Sequence, residues 1–297
     1  MGGRETTRLL LVSNDLHRGG IGNEHDLLGR FYLSQMTGDI GEVTFTPHGG
    51  PVIWNYERTP EGVYCQRALA ILERKQRAEG LLNFRAMLSH ASAECPQPSR
   101  HGALEHLAAR CGNLMREFLR PRRPPSLAFA GESNTYTLQY SGEQSPNRES
   151  RVTLSARKDS FGINFLRADW RAKDLDVKSV IRSFELIGDS LEASGVGKLR
   201  FEPRERFSAI RENGAGSHHL GTTRMAFSPM WGVADENCRI FGVDNLYVAS
   251  RSLFPTSGCA DPTLTTVALA IRLADHLKQV HARGAAQFVM PVLAGKS

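Results

Sequence analysis

Cysteine is scarce and its spacing carries no pattern. Cys65, Cys95, Cys111, Cys238 and Cys259 are far apart and odd in number. No CxxC pair or Cys/His cluster has zinc spacing, so neither a metal site nor a disulfide framework is indicated. No apolar run reaches the ~20 residues that a bilayer requires. The opening MGGRETTRLLLVSND lacks the layout of a secretory signal. These absences make a cytoplasmic, reduced protein with no membrane span the default expectation. A dense basic stripe interleaved with aromatics is lacking too. The one basic cluster, Arg120, Arg122 and Arg123 in LRPRRPP, fits no nucleic-acid-binding module. The net charge of +6 therefore reads as a solvated surface that favours the approach of anionic ligands. What is present in quantity is core material: 40% of the 297 residues are hydrophobic, enough for one large domain or two ordinary ones.

Hydrophobic spacing divides the chain into elements. ETTRLLLVSN reads as a short helix or strand, followed by the Gly-rich loop HRGGIGNEHDLLGRFYLSQ. Residues 43–54 read as a strand broken by Gly-Gly-Pro. Residues 63–93, with Tyr64, Ala68, Ile71 and Leu72 at helical spacing, and residues 102–119 read as helices. SLAFAGESNTYTLQYSG is strand-like, and RVTLS and INFLRADWR alternate as neighbouring strands. LDVKSVIRSFELIGDSLEASGVG predicts an amphipathic helix ended by glycines. Short apolar segments at 239–241 and 246–249 precede ADPTLTTVALAIRLADHLKQV. In that helix Asp261 suits the N-cap, Pro262 the first position, and Val267, Ile271, Ala274 and Leu277 line one face.

Histidine is the usual proton acceptor near neutrality, and GSHHLGTTRM holds two in succession. Two adjacent histidines alone signify little. In this chain, however, HHLGTTRM is followed by GVADENCRIFGVDNLYVASRSLFPTSG and ADPTLTTVALAIRLADHL, in order and without a large gap. Together these stretches resemble the C-terminal signature of the glucose–methanol–choline (GMC) flavoprotein oxidoreductases. Weaker similarity reaches upstream through GGRETTRLLLVSN, GNEHDLLGRFYLSQ and SRVTLSARKDSFGINFLRADWR. The family's FAD-binding GxGxxG unit has no counterpart. GGIGNE, GAGSHH and SGVGK lack that spacing and do not lead a strand into a helix. On this resemblance the chain begins some ~200 residues into a full-length relative, as expected after a dinucleotide-binding half with its insertions. A truncated frame, a cut piece and one subunit of two are the possibilities.

The resemblance implies an α/β fold with α+β character. It would comprise the C-terminal remainder of a flavin-binding, Rossmann-like domain plus an antiparallel-sheet substrate domain with helices. Its expected divisions are 1–42 (partial FAD-domain segment), 43–212 (substrate-binding domain), 213–285 (FAD-domain return) and 286–297 (tail). The implied cofactor is FAD, the substrate a small-molecule alcohol or sugar, and the further partner a separate N-terminal FAD-binding chain. The implied base is His218, four residues before Thr222, which takes the hydroxyl proton while hydride passes to flavin N5. His219 reads as a partly exposed turn residue. Asp261 stands where relatives have Asn or His, and two roles stay open for it: N-capping alone, or capping with catalysis. Ala249, Ser250, Pro262 and Thr263 fall at cofactor-binding positions, while Asp235 and Arg239 read as turn and pairing residues. A non-catalytic GMC-like subunit, or a truncated fragment that binds a partner without activity, is the alternative.

Overall fold

The computed structural model describes residues 2–46, 52–54, 56–89, 134–201, 210–211 and 215–293. The expected helix at 102–119 and the LRPRRPP segment lie outside them. Helix α1 (Gly3–Val12) opens the described chain. It docks onto a hairpin formed by β7 (Arg151–Lys158) and β8 (Asn164–Asp169). Arg8 of α1 anchors that contact: Nε donates to the Asn164 carbonyl at 2.8 Å and Nη2 to Asp159 at 2.6 Å. The hairpin pairs antiparallel, as the alternation of both segments predicts.

The centre of the molecule is a six-stranded antiparallel sheet. Its organising strand is β1 (Leu33–Phe45), which pairs with β10 (Ala215–Leu220) and β9 (Gly197–Arg200) along one edge and β6 (Thr135–Gly142) along the other. Beyond β6 lie β5 (Phe84–Ser89) and β4 (Leu69–Ala70), while β2 (Glu57–Arg58) and β3 (Tyr64–Cys65) form a separate small ladder. β1 runs without interruption through residue 42, where a domain edge was expected. A register shift at Asp39/Glu42 puts an extra residue in β1, and one at Ser34/Met36 puts extra residues in β10, as bulges do.

Helix α2 (Glu73–Glu79) is far shorter than the helix expected over 63–93. Gly80 takes a left-handed conformation (φ 63°) that ends the helix, and Phe84 and Ala86 then alternate inward on β5. Packing of that strand against β6 overrides the helical spacing of the residues before it. Helix α3 (Asp174–Ala193) matches expectation and covers the sheet. Its buried Asp176 accepts from the Lys173 and Ser145 amides at 2.7 and 2.8 Å, which satisfies the helix entrance. Val177, Val180, Phe184 and Ile187 of α3 meet Met36, Val43, Phe84, Leu138 and Tyr140 of the sheet in one core.

A second core joins Leu10 and Leu28 to Val233, Ile240, Val248 and Leu253, and takes Leu273 from helix α4 (Thr263–Leu293). α4 continues past residue 286, where a tail was expected. The stripe Val267, Ile271, Ala274 and Leu277 is left open to solvent, and the buried contact is Leu273. The apolar face therefore has no cover among the described residues. No helix among these residues is long and apolar enough to cross a membrane.

Candidate active site

The two histidines stand on a strand, not in a turn. Successive strand side chains leave on opposite faces, so His218 and His219 meet different surroundings. His219 Nδ1 lies 2.6 Å from the Tyr32 hydroxyl, and the two rings stack with centroids 5.6 Å apart. Burial, joined by the positive charges of Arg4 and Arg251, pushes its pKa down to about 4. His218 faces the other way, with Nδ1 2.7 Å from Gln35 Oε1 and 3.8 Å from Asp261 Oδ1. Its pKa is lowered by burial, which Asp261 opposes and Arg251 and Arg85 reinforce. Both rings are thus neutral near pH 7, and His218 is ready to accept a proton.

The Gly-Thr-Thr-Arg that follows is a structural knot. Gly221 has φ 82°, and a Cβ there would lie 2.2 Å from the Phe31 carbonyl oxygen. Thr222 accepts from the Thr7 hydroxyl at 2.6 Å, and Thr223 donates to Ser252 at 2.6 Å, all in buried surroundings. Arg224 lies 4.2 Å above the Phe31 ring. The knot ties α1, the start of β1 and the turn at 251–253 to the end of β10, and so fixes where the His218 backbone runs.

Asp261 sits just before α4. The helix opens at Thr263, one residue later than an Asp261 cap implies, with the Thr266 amide and hydroxyl on the Pro262 carbonyl at 2.9 and 2.8 Å. The Asp261 carboxylate turns instead to Arg85 of β5, at 3.2 Å, and to His218. The structure thus brings together two of the expected site residues, His218 and Asp261. Ser250 is buried, and its hydroxyl accepts from the Ser252 amide to cap the Arg251–Leu253 turn. Ala249 and Thr263 are exposed and Pro262 is buried. Asp235 accepts from the amides of Asn237 and Arg239 at 2.9 Å, and pairs with the Arg239 guanidinium at 3.3 Å.

Gln35, Tyr32 and Arg85 were not among the residues expected from sequence. Gln35 and His218 are cross-strand neighbours, since Ser34 pairs with His219 immediately before the ladder shifts. Periodicity places Gln35 on a strand but does not reveal which strand lies beside it. A fully buried glutamine is the available signal, and burial is known only after folding.

A family model described as GMC oxidoreductase matches residues 146–270, which include β7, β8, α3, β9, β10 and the start of α4. This segment is similar to the GMC oxidoreductases, as the sequence resemblance implied. The chain is 29% identical over 146 residues to a 2-methyl-1,2-propanediol dehydrogenase of Mycolicibacterium austroafricanum, covering 46% of this chain and 24% of that protein. It is 32% identical over 127 residues to a C-glycoside 3-oxidase of Arthrobacter globiformis, covering 42% of this chain and 23% of that protein. The chain therefore spans about a quarter of the length of the curated relatives it matches. Its fold is similar to that of a pyridoxine 4-oxidase from Mesorbium loti (TM-score 0.52, 17% identity), over 94% of this chain and 50% of that one.

Proposed function

We propose that this chain forms the catalytic, substrate-facing part of an FAD-dependent oxidoreductase acting on CH–OH groups of small alcohols or sugars, with His218 as the base. The observation that carries the reading is a half-buried His218, its pKa lowered by burial, held beside the entrance of α4 within the segment that matches the GMC model. The curated relatives include enzymes named as a dehydrogenase of a diol and as an oxidase of a C-glycoside, which supports the substrate class.

The donor set suits the isoalloxazine end of FAD. The side chain of Asp261 is occupied by Arg85, so the first amides of α4 are left to face an electron-rich ring edge, where a helix N-terminus favours negative charge. Pro262 and Thr263 would meet that end, and Ala249 and Ser250 the ribityl or pyrophosphate part, Ser250 through its backbone because its hydroxyl caps a turn. The adenosine end would rest on a GxGxxG unit, which is not found in this sequence, so a separate FAD-binding half completes the reading. Residues 1–42 and 213–285 would face that half and 43–212 the substrate, β1 running through the boundary between them.

Bound FAD supplies a hydride acceptor. His218 takes the hydroxyl proton of the substrate as the C–H bond breaks. The imidazolium that forms lies beside the Asp261 carboxylate, whose charge stabilises it. Arg85 holds that carboxylate in place. The test is reconstitution of the full chain with a flavin-binding half, followed by alcohol- or sugar-dependent dye reduction. His218→Ala is expected to lower turnover by roughly 10²–10⁴-fold. Turnover unchanged in that variant overturns the assignment.

A further inference from the structure

The side-chain amide of Gln35 is oriented by three contacts. Its Nε2 lies 2.5 Å from the Ala260 carbonyl oxygen and 3.2 Å from that of Gly258. Only the NH₂ end of an amide donates, so two carbonyl acceptors at one end decide which way it points. The reverse orientation would set Oε1 against both carbonyls, with no proton between any of them. Oε1 is therefore the atom that faces His218 Nδ1 at 2.7 Å, and an amide oxygen can only accept. With Gln35 only 1% exposed, water does not compete for that contact. The Asp261 carboxylate, 3.8 Å from the same ring nitrogen, also favours a proton there.

We propose that Gln35 is a positioning residue that locks His218 in its Nδ1–H tautomer, leaving Nε2 as the unprotonated atom that accepts the substrate proton. This deepens the reading of His218 as the base. In the step, the substrate O–H bond breaks and an Nε2–H bond forms, and the ring becomes an imidazolium whose Nδ1–H still points to Gln35. The same side chain grips the backbone at 258 and 260, just before Asp261. It thereby couples the base on β10 to the entrance of α4 through β1. The register shift beside Ser34 puts the extra residues in β10, between Ala215 and His219, so the strand that carries His218 is the one that bulges opposite Gln35.

The experiment uses the full chain with nitrogen-15-labelled histidine and long-range proton–nitrogen correlation spectra at neutral pH. His218→Gln and His219→Gln variants assign the signals. In the wild type, His218 is expected to show a protonated Nδ1 and a bare Nε2. In Gln35→Met, which keeps the side-chain length but removes the acceptor, the share of the Nε2–H form rises. A wild-type His218 protonated at Nε2 overturns the proposal, and so does an unchanged tautomer in folded Gln35→Met. Should that variant fail to fold, the wild-type spectrum still decides. Neither measurement needs flavin or substrate. A wrong tautomer therefore refutes the lock alone, whereas undiminished turnover in His218→Ala refutes the base.

Discussion

Arg85 Nη2 lies 3.2 Å from Asp261 Oδ1, joining a strand of the large sheet to the residue that precedes α4. The same carboxylate oxygen is 3.8 Å from His218. An uncompensated carboxylate at this position would oppose an anionic reduced flavin, and the guanidinium counters it. Asp261 in place of the Asn or His expected from the family resemblance is thus matched by a cation from a distant strand.

Opposite shifts follow from removing either partner. Asp261→Asn deletes the charge that raises the His218 pKa, so that histidine should titrate lower than in the wild type. Arg85→Met deletes a charge that lowers it, so the midpoint should rise. An imidazole titration by NMR reads both, and shifts of the same sign would refute the electrostatic arrangement. Asp261 is 63% exposed, so either change should alter stability by only about 0–1 kcal/mol.

His219 makes stability depend on pH. Its folded pKa of about 4 lies below the ~6.5 of an unperturbed imidazole. As pH falls, the unfolded chain takes up the proton first. Stability is therefore complete above about pH 6.5, declines as pH drops toward 4, and levels off below. Allowing for partial solvent contact, the loss should be about 1–2 kcal/mol. Urea midpoints near neutrality and near pH 4 check it, with His219→Gln expected to flatten the slope; an undiminished slope in that variant would sink the idea.

Gly221→Ala should strike the knot behind the site. The new Cβ would meet the Phe31 carbonyl oxygen at 2.2 Å, on a backbone with φ 82°. The combined strain and overpacking should cost about 2–5 kcal/mol. Urea unfolding of the variant measures it, and a loss below ~1 kcal/mol would mean that the two backbones separate easily.

Two neighbours on α4 should respond unequally. Leu273→Ala opens a cavity in the second core and should cost about 2–5 kcal/mol. Ile271, 60% exposed, should tolerate alanine within about 0.5 kcal/mol in this chain. Equal losses in thermal melts of the two variants would show that the exposed stripe is packed in solution.

Helices α3 and α4 and the hairpin of β7 and β8 are readable from periodicity because their spacing, glycines and flanking residues agree with one another. Residues 63–93 are not. Their helical spacing is genuine over one stretch, but β6 claims Phe84 to Ser89 as a partner strand, and that pairing is invisible in the local sequence. The apolar face of α4 does not reveal its own burial for a related reason. A hydrophobic stripe shows that a face seeks cover without showing whether this chain provides it.

His218 could be singled out by its spacing to Gly221 and Thr222, because a motif confined to ten residues survives in a linear reading. Its place beside Asp261, and the roles of Gln35 and Arg85, could not. The hydrogen bond from His218 to Gln35 spans 183 positions, and the ion pair from Arg85 to Asp261 joins β5 to the α4 entrance. The amino-acid order by itself determined which histidine matches the family pattern and where the strongly patterned helices and the hairpin lie. Tertiary structure alone decided which group faces Nδ1 of each histidine and which charge balances Asp261. Those outcomes depend on strand order and register, and hence on which distant side chains share one face of one sheet.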